Sequence, residues 1–190
     1  MSRKKSVTTD ASVLSNIEAA IMGLLSEGTR YGYELEKIIE QRHMRYWTEI
    51  GFSSIYYVLK RLEGRKLIRS ELKASTEGKP QRKIYTMTTA GKTAFKSKIQ
   101  SLLSENERVV SPFDLAITFC AALDKAELSD CFEKRLEFLG KRLEWVQERV
   151  NAGRVKGRPI GVTAKFERHA ALIKAEQAWT QGLIRDLKKN

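Results

Sequence analysis

The chain has 190 residues, 42% of them hydrophobic and 31% charged, with only three prolines and twelve glycines. This is the balance of a helix-rich globular protein, long enough to bury a sizeable core as one domain or two small ones, and it disfavours a turn-rich β architecture. The net charge of +12 and pI near 9.8 point to an anionic partner, with nucleic acid ahead of a membrane surface.

Residues 1–12, MSRKKSVTTDAS, read as a short disordered basic arm with no apolar core of a targeting signal. A first helix is expected over 13–26, where Val13, Ile17, Ala20, Ile21, Leu24 and Leu25 recur at helical spacing and Gly28 supplies a stop. A second, over 31–42, turns Tyr31, Leu35, Ile38 and Ile39 inward. In GFSSIYYVLKRLEGRKLI, residues 51–68, Ile55, Val58, Leu59 and Leu62 form an apolar stripe at i, i+3, i+4 and i+7. At about 100° per residue, Ser53, Tyr57, Lys60, Arg61 and Gly64 gather opposite it, with Ser54 and Tyr56 on the borders.

Two alternating runs follow. Ile68, Ser70 and Leu72 share one face of the first, Tyr85 and Met87 one face of the second, and the polar cluster ASTEGKPQ joins them as a β-hairpin. Thr88 and Thr89 then offer a hydroxyl N-cap to a helix running to about residue 106. Three helices, a hairpin and a further helix is the order of a winged helix-turn-helix, here spanning 13–107. Residues 108–190 read as a helical dimerisation domain. Pro112 opens a short helix over 112–123. A long helix over 126–150 carries Phe132, Leu136, Leu139, Leu143, Val146 and Val150 at heptad spacing. NAGRVKGRPIG, 151–161, breaks it, and a last helix over 162–187 lines up Leu172, Ala175, Trp179, Leu183 and Leu187. The heptad seam requires a partner helix, either its own hairpin mate or a second subunit. The fold class expected is thus mostly α with a small β-hairpin: a winged helix-turn-helix followed by antiparallel long helices. Phe132, Leu136, Leu139, Leu143, Val146, Val150, Leu172, Trp179 and Leu183 are its candidate dimerisation residues.

Charge is unevenly placed. Between Phe52 and Lys92 there are ten Lys and Arg against three Glu, which is seven of the twelve net positive charges in about a fifth of the chain. The excess falls on the third helix and the hairpin, the two elements that a winged helix lays on DNA. In a helix-turn-helix the second helix of the motif enters the major groove. Ser53, Ser54, Tyr56 and Tyr57 are then placed to reach bases or phosphates through hydroxyls and ring edges, with Lys60 and Arg61 one turn on. Lys79, Gln81, Arg82 and Lys83 at the hairpin suit the DNA backbone or an adjacent minor groove. The glycine and lysine of EGKPQRK do not have the spacing of a phosphate-binding P-loop.

Catalysis has little to stand on. His43 and His169 are far apart in sequence, no metal or nucleophile motif is present, and carboxylates such as Glu34 and Glu36 read as solvated charge. The chain is expected not to be an enzyme and to need no cofactor. Cys120 and Cys131 lack paired spacing and read as small buried hydrophobes of a reducing compartment. No stretch approaches the roughly 18 apolar residues of a membrane span, so a cytoplasmic protein with no membrane partner is expected. Trp47, Trp145 and Trp179 fit either core and interface packing or the walls of a pocket for a flat aromatic effector.

The runs YGYEL (31–35), SSIYYVLKRLEGRKLI (53–68) and KPQRKIYTMTTAG (79–91) resemble the PadR family of bacterial transcriptional regulators across residues 13–106. Tyr31, Gly32, Leu35, Ile55, Tyr56, Leu59, Leu62, Glu63, Leu67, Ile68, Tyr85, Thr88 and Gly91 match that family's pattern. Lys66 stands where a glycine is usual, so the turn into the wing is expected elsewhere, at Gly64, and Met87 stands for a leucine. The C-terminal helices are similar in kind to the longer-tailed branch of the family. The resemblance implies a homodimer on a pseudo-palindromic operator, usually a repressor and often released by a small effector. The alternative is a winged-helix adaptor that docks on a protein without reading DNA.

Overall fold

A computed structural model of the chain describes residues 14–48, 50–51, 54–73, 81–105, 111–155 and 160–189. The expected basic arm, Val13, Ser53 and Lys79 lie outside the described residues. The chain divides into two compact units, Met1–Glu107 and Arg108–Asn190.

In the first unit, α1 (Asn16–Ser26) opens on a capping box: Ser15 Oγ accepts the Glu18 N–H, and the Glu18 carboxylate accepts the Ser15 N–H. Gly28, at φ 148°, turns the chain into β1 (Arg30–Tyr31). Next come α2 (Gly32–Gln41), a 3₁₀ turn at Met44–Tyr46 and α3 (Ser54–Gly64). A wing of β2 (Ile68–Lys73) and β3 (Arg82–Met87) follows, and α4 (Thr89–Ser104) closes the unit. The hairpin expected from the sequence is in fact part of a three-stranded antiparallel sheet of order β1-β3-β2, with Arg30 opposite Tyr85 and Ile68 opposite Met87. A two-residue strand has no alternation to read, so β1 is defined by its backbone pairing alone.

The α3 stripe is the centre of the core. Ile55, Val58, Leu59 and Leu62 are buried with Ile21, Met22, Leu24 and Leu25 of α1, Leu35 and Ile39 of α2, and Ile68, Tyr85 and Met87 of the wing. Of the face shared by Ile68, Ser70 and Leu72, Ile68 is buried, Ser70 half-buried and Leu72 exposed, so burial fades along β2.

The turn from α3 into β2 corrects an expectation. Gly64 ends the helix without a positive φ, and it is Lys66, at φ 56°, that takes the left-handed conformation. The Leu67 N–H donates to the Leu62 carbonyl at 3.0 Å and the Lys66 N–H to the Glu63 carbonyl at 2.9 Å. This is the Schellman pattern, in which a glycine normally occupies the position of Lys66. A side chain there costs about 1–2 kcal/mol relative to a right-handed backbone. Lys66→Gly should therefore stabilise the unit by about 1 kcal/mol, part of the relief being offset by the freer unfolded chain; a midpoint at or below that of the wild type in urea titration would contradict this.

In the second unit, α5 (Pro112–Thr118) is capped by Ser111, whose Oγ accepts the Phe113 N–H, and a 3₁₀ turn spans Cys120–Ala122. Two long helices follow, α6 (Lys125–Val155) and α7 (Ile160–Lys189). The expected break over 151–161 is thus shorter. Gly153 stays helical, and a Cβ built on it would lie 2.8 Å from Thr163 Oγ1, so its bareness lets α7 approach. The heptad seam is filled by its own hairpin mate: Phe132, Leu139, Val146 and Val150 are buried, and Leu136 and Leu143 half-buried, within this one chain. The seam thus finds a partner helix within the chain, the first of the two alternatives that its spacing left open.

On α7 a different line of residues is buried. Ala170, Ile173, Thr180 and Ile184 are buried, while Leu172 and Trp179 remain 52% and 45% exposed and Ala175 is exposed. The inward line is rotated by about one residue, roughly 100°. It includes the small Ala170 and Thr180, which let the helices come close, and the Thr180 hydroxyl is satisfied by the Glu176 carbonyl at 2.8 Å. The guanidinium of Arg135 on α6 meets the Glu176 carboxylate on α7, with Nε at 2.7 Å. Cys131, expected to be buried, is exposed one position from inward Phe132; both cysteines are free.

Candidate nucleic-acid interface

The outer face of α3 is built by elimination: once the apolar stripe is committed to the core, the remaining side chains must point away. Tyr56 and Tyr57 are 62% and 67% exposed, and Lys60 and Arg61 are exposed as well. Ser54 begins the helix. On the wing, Gln81, Arg82 and Lys83 are all exposed.

Three contacts fix these groups relative to one another. The Tyr56 ring lies over the first turn of α2, where a Cβ on Gly32 would meet its Cε1 at 2.7 Å. Glycine at that position is what seats the ring. The Arg82 guanidinium stands 5.0 Å over the Tyr33 ring, itself stacked on Tyr31 at 5.6 Å. Glu63, at the end of α3, accepts a hydrogen bond from the Ser70 hydroxyl and lies 3.4 Å from Lys83 Nζ. The Ser70 hydroxyl first, and the Lys83 charge after it, hold the Glu63 carboxyl below the usual carboxylate range, so it is ionised at neutral pH. Glu63, the carboxylate that α3 itself carries, therefore ties the helix to the wing. Burial pushes the neighbouring Tyr85 phenol above its usual range.

Three carboxylates do more than the sequence announces. Glu34, read as solvated charge, accepts the Tyr31 N–H at 2.9 Å and caps α2, while Glu36 pairs with Arg45. Glu18, on α1, is 1% exposed, and its Oε1 lies 3.0 Å from Arg65 Nη1 and 3.2 Å from Arg61 Nε. The run Ser15-Asn16-Ile17-Glu18 does carry the capping-box signature; what it cannot announce is that the same carboxylate reaches two arginines of α3. Arg61, predicted simply as an outward cation, is anchored at its Nε.

Of the tryptophans, Trp47 is partly exposed, Trp145 packs edge-on to Phe166 at 6.2 Å beneath the Arg149 guanidinium, and Trp179 packs edge-on to Phe113 and Phe132. Among the described residues no His, Cys, Asp and Glu side chains gather as a metal-binding group, and no helix is long and apolar enough to cross a membrane.

The model of the transcriptional regulator PadR-like family matches residues 21–97, from the middle of α1 to about the middle of α4. Over those residues the chain is similar to the PadR-like family. The matched stretch includes the Gly32–Tyr56 seat, the Glu63 tie and the left-handed Lys66. Along almost its whole length the chain is also 25% identical, over 183 residues, to the negative transcriptional regulator PadR of Bacillus subtilis (strain 168), covering 92% of this chain and 98% of that one. The fold is shared with the crystal structure of Bacillus subtilis PadR in complex with operator DNA (TM-score 0.74, 22% identity, 91% of this chain and 99% of that chain). The same protein in complex with p-coumaric acid gives a TM-score of 0.71 at 21% identity, over 90% of this chain and 98% of that one.

Proposed function

We propose that this PadR-like chain is a DNA-binding transcriptional repressor that acts as a homodimer on a pseudo-palindromic operator and is released by a small, flat effector. The observation that carries the reading is the exposed face of α3: two tyrosines and two cations beside a wing presenting Arg82 and Lys83, in a fold shared with a PadR solved on operator DNA. In this reading Ser53, Ser54, Tyr56 and Tyr57 meet base edges and phosphates, Lys60, Arg61, Lys79, Arg82 and Lys83 neutralise the backbone, and Gln81 hydrogen-bonds to it. Dimerisation is supported by the apolar surface that the α6–α7 hairpin leaves uncovered, including Leu172, Trp179 and half-buried Leu183. The effector is suggested by the p-coumaric acid complex of the Bacillus subtilis protein. The setting is the cytoplasm, where the DNA is, and no step asks for catalysis.

The test is fluorescence anisotropy on a duplex taken from upstream of the gene, against a scrambled duplex, across several salt concentrations. Saturable binding with preference for the upstream duplex and a steep salt slope is expected. Salt-insensitive behaviour, or no binding at low salt, would favour the adaptor instead. Tyr57→Ala and Lys60→Ala should fold normally, since both face away from the core, and should weaken binding by about 1–3 kcal/mol where a base is contacted and by less for a single phosphate. Unchanged affinity in both variants would remove α3 from the interface.

A further inference from the structure

Arg61 and Arg65, one turn apart on α3, share a single carboxylate. Glu18 Oε2 is occupied by the Ser15 N–H at 2.8 Å, and Oε1 faces Arg65 Nη1 at 3.0 Å and Arg61 Nε at 3.2 Å. The two arginines differ in what they can do next. The Arg65 side chain is 19% exposed and hydrogen-bonded to the carboxylate; that of Arg61 is 51% exposed and held by its inner nitrogen. One carboxylate balances one guanidinium, so this group carries one surplus positive charge, and the better-solvated Arg61 is where it is presented. Holding a guanidinium at Nε leaves its two Nη groups, the fork that matches a phosphate or a guanine edge.

We infer that Glu18 is a positioning residue for DNA binding: from the core of α1 it holds Arg61 by Nε and so pre-orients the Arg61 fork for an anionic group of the operator. The inference rests on the DNA reading above and adds to it a residue that touches no DNA. An arginine is among the side chains that lose most rotamer entropy when immobilised, and a carboxylate that restricts it beforehand has met part of that cost before DNA arrives. A negative charge behind a DNA-facing helix would otherwise weaken attraction to phosphate. The two effects predict opposite signs on removing the carboxylate, which makes the inference testable.

The experiment is a double-mutant cycle on the full chain, with affinity for the upstream duplex read by anisotropy and folding read separately by urea titration. Glu18→Gln removes the charge, whereas Glu18→Asp keeps it and withdraws it by one methylene; the second serves if the first does not fold. On an Arg61 background both should weaken binding about three- to ten-fold, the range expected for ordering one long side chain. With Arg61→Ala already in place neither should weaken it further. A purely structural Glu18 would lower the urea midpoint in both backgrounds and leave the affinity of the folded protein unchanged, and that result overturns the inference, as does tighter binding by Glu18→Gln on the Arg61 background. If the wild type shows no preference for the duplex, the DNA reading and this inference fall together. If the wild type binds and Lys60→Ala weakens it while the Glu18 variants match the wild type, only the positioning role falls.

Discussion

Replacing Gly91 with alanine will disrupt the N-terminal unit, although alanine is the best helix former and Gly91 sits inside a helix. By propensity alone the change gains about 1 kcal/mol. Sterics reverse the sign: a Cβ on Gly91 would lie 2.0 Å from the Leu67 carbonyl oxygen and 3.0 Å from both the Leu67 carbonyl carbon and Met87 Cγ. The obstacle is backbone, so no rotamer relieves it. α4 must lift away from the entry to β2, and with it goes a junction built on Thr88. The Thr88 N–H donates to the Leu67 carbonyl at 3.0 Å, its hydroxyl reaches the Lys66 and Leu67 carbonyls at 2.9 and 3.0 Å, and its Oγ1 accepts the Gly91 N–H at 3.0 Å. Overpacking a tight site costs about 1–3 kcal/mol before those bonds are counted, so a net loss of at least about 3 kcal/mol is expected. Urea titration followed by circular dichroism measures it. Gly64→Ala is the matched comparison: a Cβ there meets nothing within 4 Å, and the same substitution should be neutral or stabilising by up to about 1 kcal/mol. Equal effects at the two positions would show that backbone approach is not what selects glycine at 91.

What could be read in the sequence follows from which forces leave a periodic trace. The stripe Ile55, Val58, Leu59 and Leu62 was legible because burial at every third and fourth residue repeats, and by subtraction it placed Tyr57, Lys60 and Arg61 outward, where the structure also has them exposed. Thr88 was legible as a cap because a hydroxyl before a helix has a specific use, accepting the Gly91 N–H. Other features leave no such trace. β1 is two residues long. The left-handed turn is normally announced by glycine, and here a lysine adopts it. The buried carboxylate of Glu18 is set by arginines forty-three and forty-seven positions away. The buried line of α7 leaves no such trace either: size does not separate Leu172 from Ile173, and close helix contact favours the small Ala170 and Thr180 and leaves Trp179 at the margin.

The division of α6 and α7 into buried and exposed faces decides how assembly should be tested. Leu139 is 2% exposed within a single chain, packed with Val146, Ala170 and Ile173 and flanked by Leu143, Trp145 and Phe166. Leu139→Glu therefore removes a buried leucine, worth about 2–5 kcal/mol when truncated, and adds a carboxylate with no partner in an apolar seam. A loss of about 4 kcal/mol or more is expected, enough to unfold the α6–α7 hairpin, while the N-terminal unit keeps its own core. Far-ultraviolet circular dichroism should show the loss of helix, and any loss of dimer in sedimentation would be secondary to it. Leu172→Lys addresses the other face. Leu172 is already half in solvent, so the hairpin should retain its helix and stability, and sedimentation then reports association alone. Full helical content in Leu139→Glu, with only the oligomeric state changed, would return the heptad seam to the subunit interface and leave α7 without the partner this fold gives it.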